Sequence, residues 1–181
     1  GARDTPYAAS DRVAPINLYG RQKIESERLV HAAAAEFAVT LRAPLLMGNS
    51  VSGQRSNHER LFADWAAGRT PRLFTDEFRQ TCTAENLAEV MLEICERTDV
   101  LGLFHWAGAE LRSRHALGGA IRDHFKLTER QAPLARVARA DVPEVARKRQ
   151  ARLALDISPL AGKLKTRPQT LADQLAELQV P

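Results

Sequence analysis

Aromatic residues are scarce in this chain: two Trp, two Tyr and six Phe make up 6% of 181 residues. Binders of single-stranded nucleic acid stack bases on aromatic platforms along a basic groove. Here the 26 Lys and Arg are dispersed and the net charge is only +4, so no nucleic-acid partner is expected. Cysteine is nearly absent. Cys82 and Cys95 match no metal or redox spacing, and both are expected to be buried thiols in a reducing cytoplasm. The five histidines (His31, His58, His105, His115 and His124) form no ligand pattern such as H-E-x-x-H, which argues against a metal site. No apolar run approaches the ~20 residues that a membrane helix needs, and no charged start leads into an apolar stretch, so neither a membrane partner nor a secretory signal is expected. The chain opens on Gly1-Ala2-Arg3-Asp4 without a start Met, as if inside a polar loop.

What is present is an alternation of helix-forming and strand-forming stretches. Residues 15 to 36 are rich in Ala, Leu, Glu, Gln, Arg and Lys, and Pro15 suits a first helical turn. Residues 37 to 43 (FAVTLRA) read as a buried strand ending before Pro44, the helix-then-strand order of a parallel sheet. Residues 57 to 67 place Leu61, Phe62 and Trp65 at helical spacing, stopped by Gly68, and Leu73-Phe74 suit a brief strand. Thr83 caps the clearest helix, whose expected buried stripe is Leu87, Ala88, Met91, Leu92 and Cys95. Residues 100 to 106 (VLGLFHW) form a second buried strand. Ser113 caps the next helix, with Leu117, Ala120, Ile121 and His124 on one side, and residues 166 to 178 form a last helix with Pro168 in its first turn. The densest basic run, Arg136 to Arg152, reads as a solvated or anion-facing segment.

Within the first helix, Tyr19 and Lys23 lie four apart and so share one face. A phenol ionises near pH ~10 in water, and a cation beside it stabilises the phenolate, which is the requirement for proton transfer at neutral pH.

The order of further motifs resembles the second half of an extended short-chain dehydrogenase/reductase. The matching residues are Pro6-Tyr7, Asp11, Ala14 to Gly20, Lys23, Glu27, Leu41-Arg42 and Gly48. They continue through Phe74-Thr75-Asp76, Asn86 to Glu89, Gly102 to Gly108, Leu155-Asp156 and Arg167-Pro168. The chain is most similar to the dTDP-4-dehydrorhamnose reductase branch and to its cousin, the regulatory beta subunit of methionine adenosyltransferase. The resemblance implies an α/β fold: the C-terminal part of a doubly wound, Rossmann-type parallel sheet plus a small substrate-binding lobe. Residues 1 to 48 and 81 to 108 would belong to the NAD(P)-binding domain, and residues 49 to 80 and 109 to 181 to the lobe.

It also implies an NAD(P)-dependent oxidoreductase that reduces a nucleotide-linked 4-keto sugar, as in dTDP-rhamnose biosynthesis. Tyr19 would be the proton donor and Lys23 the anchor of the nicotinamide ribose in NADP or NAD. Leu46 is a candidate cofactor contact, and Leu45 a candidate substrate contact where rhamnose-forming reductases usually carry Trp. Homodimers are common among such proteins. The family's Gly-rich turn and its carbonyl-binding Ser or Thr have no counterpart here and are expected upstream of Gly1. Gly118-Gly119 lies in a helical pattern and is no substitute. A remnant of this kind would leave sheet edges and faces uncovered. Two other readings follow from the same resemblance: a non-catalytic nucleotide-binding regulatory subunit, and a sugar-nucleotide epimerase or dehydratase.

Overall fold

The computed structural model describes residues 3–181. In chain order the elements are α1 (Leu18–Ala34), β1 (Val39–Arg42), β2 (Leu45–Met47), α2 (Asn57–Ala66), β3 (Arg72–Phe74), β4 (Phe78–Thr83), α3 (Ala84–Cys95), β5 (Gly102–His105), β6 (Leu111–Ser113), α4 (Arg114–His124) and β7 (Ala135–Val137). A 3-10 turn (Arg139–Asp141), α5 (Pro143–Ala146), β8 (Arg152–Leu153), α6 (Ser158–Ala161) and α7 (Leu171–Ala176) complete the chain.

Most strand pairing is parallel, as the helix-strand alternation requires. β1 runs beside β5 with Val39 opposite Gly102 and Arg42 opposite His105. β2 pairs with β4 (Leu45 opposite Thr81), and β3 pairs with β7 (Arg72 opposite Ala135). β4 is the hub, since its first half also pairs antiparallel with β6 and parallel with β8. Side chains alternate along it. Cys82 joins one core with Val90, Ile94, Val100, Trp106, Leu160 and Leu164. The hydroxyls of Thr81 and Thr83 instead donate to Gln174 and Gln169 of the C-terminal segment, at 2.6 and 2.8 Å. A second core gathers Met47, Leu61, Leu117, Ile121, Leu171, Leu175 and Leu178.

Glycine matters where backbones crowd. Gly108 lies so close to β4 and to the C-terminal segment that a Cβ there would sit 2.5 Å from the Thr81 carbonyl oxygen. Gly118 lets α4 press onto Leu73, whose methyl would be 2.4 Å from an added Cβ, so Gly118 serves helix packing, whereas a Cβ at Gly119 would meet nothing within 4 Å.

Several sequence expectations are corrected. α1 starts after Asn17, whose side-chain oxygen accepts from Gly20 N–H at 2.8 Å, and Pro15 therefore lies outside the helix. α3 is capped by Thr83 as expected but buries a different side: Asn86, Val90 and Ile94 face the core, while Met91 and Leu92 are 54% and 67% exposed. The cause is a polar contact invisible to hydrophobic periodicity. Asn86 is drawn inward because it accepts from Trp106 Nε1 at 2.9 Å and donates to the Arg167 carbonyl at 3.1 Å. That phase turns Cys95 to the surface, and only Cys82 is buried. Burial raises the Cys82 thiol to about 12, which leaves it an inert core group. His124 likewise ends exposed on α4. α7 begins at Leu171 because Thr170 and Asp173 form a reciprocal capping box. Residues 166–169 are engaged elsewhere: Thr166 binds the Glu93 carboxylate.

Candidate active site

The first two turns of α1 carry Tyr19 and Lys23. Asn17 holds extended backbone, and its carboxamide oxygen accepts from Gly20, fixing where the helix begins. Tyr19 then stands 67% exposed, with Lys23 Nζ 5.6 Å from the centre of its ring. The helical spacing thus delivers what the sequence implied, an accessible phenol with an ammonium over it.

None of the residues of α1 is buried. Its principal tie to the sheet is a two-pronged ion pair in which Arg42 of β1 donates to both Glu27 oxygens at 2.7 and 2.6 Å. Between α1, β1 and β5 runs a groove of about 340 Å³, lined in part by Ile24, Glu27, Val30, Thr40, Arg42 and Leu103. Among the described residues β1 has a strand neighbour only on its β5 side, and Val13 and Val30, which also line the groove, are exposed. An uncovered strand edge beside apolar side chains is a surface suited to further pairing.

The early motif residues meet the end of β5 and the segment after β8. Tyr7 bridges to Leu155, its N–H donating to the Ala154 carbonyl and its carbonyl accepting from Asp156 N–H, both at 2.8 Å. The buried His105 places Nδ1 3.0 Å from the Tyr7 carbonyl. Burial and the neighbouring Arg42 guanidinium lower its basicity, against the opposing pull of that carbonyl and of Asp156. Asp11 closes its own turn by accepting from Ala8 N–H at 2.7 Å and pairing with Arg3.

The two leucines after β1 point apart. Leu45 packs partly buried against the core around Met47, and Leu46 is 43% exposed. The loop that follows them is pinned by the buried Glu59. Burial pushes this carboxyl up, yet hydrogen bonds from the Ser50 hydroxyl and the N–H groups of Ser56, Ser50 and Arg55 outweigh it, and the result falls from 4.5 to about 2. A carboxyl depressed in the folded state contributes stability above its unfolded value, and that contribution disappears as pH falls through the folded one. Denaturation midpoints are therefore expected to drop between pH 4.5 and about 2 more steeply in the native protein than in Glu59→Gln. Parallel slopes would show that Glu59 does not couple to folding.

A feature beyond sequence reasoning lies behind the Asn17 cap. Glu77 is 0% exposed, and three arginines from separate segments surround its carboxylate. Arg149 Nε lies 3.1 Å from it, Arg79 Nη2 3.3 Å and Arg139 Nη1 3.7 Å. Arg114, at the start of α4, also senses it. Burial lowers the basicity of Arg114; Glu77 pushes back, and Arg149, Arg79 and Arg60 add to the fall. Cations thus outnumber the one acid, which gives this corner a positive field. The Arg136 to Arg152 run was the only signal of it in the sequence, and the acid it faces lies far away in the chain. Arg114 further lines a groove of about 200 Å³ with Asn57, Arg60, Arg72 and an apolar floor that includes Leu61 and Leu117. Among the described residues no group of three His, Cys, Asp or Glu could hold a metal, and no helix is long and apolar enough to cross a membrane.

Parallel strands alternating with helices define an α/β protein with a Rossmann-like fold, shared with solved structures of dTDP-4-dehydrorhamnose reductases. The chain belongs to the RmlD substrate binding domain family, whose model matches residues 1–179. Among curated relatives it is 32% identical, over 99% of its own length, to a probable low-salt glycan biosynthesis reductase of Haloferax volcanii. It is 30% identical, over 69% of its length, to methionine adenosyltransferase 2 subunit beta of Danio rerio. The chain spans 59% and 40% of these two relatives. A dTDP-4-dehydrorhamnose reductase from Bacillus anthracis, solved in complex with NADP, superposes with a TM-score of 0.82 at 14% identity, covering 96% of this chain and 58% of that one. A hypothetical dTDP-4-dehydrorhamnose reductase from Sulfolobus tokodaii gives 0.77 at 25% identity, covering 98% and 58%.

Proposed function

We propose that the natural gene product carrying this chain is an NAD(P)H-dependent reductase of a nucleotide-linked 4-keto sugar. The observation that carries this reading is the pairing of an exposed Tyr19 with Lys23 on the capped first turns of α1, in a chain of this family. The exposed ammonium and hydroxyl fit the ribose end of a nicotinamide dinucleotide, since both offer donors to a diol at one face. When bound, such a cofactor supplies the hydride. Tyr19 donates its phenolic proton to the carbonyl oxygen on which charge develops, and Lys23 stabilises the phenolate left behind while holding the ribose. The arginine-rich corner around Arg149 supplies the charge that a substrate diphosphate needs.

The uncovered β1 edge supports a two-part layout. Residues 1–48 and 81–108 form part of the nucleotide-binding layer, to which an adjoining strand is added at that edge; residues 49–80 and 109–181 form the substrate lobe. Oxidation of NADPH or NADH by the natural gene product, followed by absorbance with a panel of nucleotide-linked 4-keto sugars, tests the reading. Turnover with at least one is expected, and none with any sugar would overturn it. A second reading, a nucleotide-binding regulatory subunit, is favoured by the matches to methionine adenosyltransferase 2 subunit beta. It predicts cofactor binding without turnover together with a stable complex with a synthetase.

A further inference from the structure

We propose that Glu77, remote from Tyr19 in sequence and not in contact with it, is a positioning residue for the Tyr19 helix. The inference rests on the assignment of Tyr19 as proton donor for its catalytic meaning, but its structural content stands alone. The route is a chain of polar contacts. The Glu77 carboxylate is fully buried and has no hydrogen-bond donor in good alignment, so what holds it is the charge of Arg79, Arg139 and Arg149. Held in this way, two of those guanidiniums grip a single strap of backbone. Arg139 Nη2 donates to the Ala146 and Arg149 carbonyls, each at 2.7 Å, and Arg79 Nη2 donates to the Gln150 carbonyl at 2.8 Å.

Within that strap, the Lys148 carbonyl accepts from Asn17 Nδ2 at 3.1 Å. The other atom of the same carboxamide, Oδ1, accepts from Gly20 N–H and caps α1. Asn17 therefore works with both ends: one caps the helix that bears Tyr19, and the other ties that cap to the strap. α1 buries no residue, and among the described residues the side-chain hydrogen bonds and ion pairs that join it and its cap to distant parts of the chain are this tie and the Glu27–Arg42 pair, of which the former acts at the turn that carries Tyr19.

Removing the charge of Glu77 while keeping its shape leaves the guanidiniums mutually repelling, and two of them are the clamps on the strap. Loosening the strap frees Asn17 Nδ2, and the first turn of α1 frays. The test compares Glu77→Gln, Asn17→Asp and the double variant by amide hydrogen exchange under native conditions. Asn17→Asp keeps the capping oxygen but lacks the donor to Lys148, so it cuts the tie and leaves the cap.

Exchange at Gly20 and Arg21 is expected to quicken roughly fivefold in Glu77→Gln, the scale of one lost hydrogen bond, with α3 unchanged. The same rise is expected in Asn17→Asp, and the double variant should be no faster than either single one. Equal acceleration in α1 and α3 would mean global destabilisation and overturn the proposal, as would additive effects in the double variant. If turnover is present, Glu77→Gln should lower kcat with little change in KM for the cofactor. A protein without turnover but with the non-additive exchange pattern would refute the reductase reading and leave the positioning route standing.

Discussion

Tyr19→Phe is expected to lower kcat/KM for keto-sugar reduction by about 10²- to 10⁴-fold, the range that a positioned general acid supplies. The substitution removes one oxygen and nothing else of consequence. Tyr19 is 67% exposed and makes no core contact, so the fold should be indifferent to it, and the ring that lies under Lys23 remains. Cofactor affinity, measured by fluorescence titration, should stay within a few fold because the ammonium is untouched. This pattern, lost turnover with retained binding and an unchanged melting temperature, identifies a proton donor. Retained turnover would assign the proton to another group. Lys23→Met separates the second role: it should weaken cofactor binding as well as slow turnover, since the lysine is assigned both the ribose and the phenolate.

The largest stability effect is expected at Trp106, which is fully buried in the core shared by Cys82, Val90 and Leu160. Trp106→Ala opens a cavity and also strips Asn86 of the indole N–H it accepts from. Aromatic truncations in cores cost about 3–5 kcal/mol, and the loss of the indole donor to Asn86 Oδ1 places this one at the upper end. On the surface of the adjoining helix, Leu92→Ala should change stability by less than about 0.5 kcal/mol, as exposed positions do. Urea denaturation of the natural gene product distinguishes the two. A large loss at Leu92 would restore the helix phase read from hydrophobicity and contradict the Asn86-facing one.

The comparison at α3 shows where reading along the chain succeeds and where it fails. Thr83 and Ser113 each cap the element that follows, as read from the sequence, because a cap needs only an oxygen and an N–H three residues on; Asn17 does the same for α1, where the sequence pointed to Pro15 instead. Strand positions within 37–43 and 100–106 were equally legible, since short apolar runs have few alternatives. The buried side of α3 was not, because periodicity weighs Met91 and Leu92 as core and Asn86 as surface, whereas Trp106 supplies a partner that reverses the order.

The functional site divides along the same line. Tyr19 and Lys23 could be paired from their spacing because the α-helix makes residues four apart neighbours, whatever else the chain does. The basic run from Arg136 to Arg152 was visible as charge, yet its role was not. A positive segment becomes a clamp only where a buried acid faces it, and Glu77, the residue just before β4, is that acid. Local geometry thus wrote Tyr19, Lys23 and the Asn17 cap into one short stretch of chain. Glu77 with Arg79, the run that holds Arg139, Arg149 and the strap, and Asn17 come from three distant segments, and their electrostatic balance exists only once the fold has taken them out of water together.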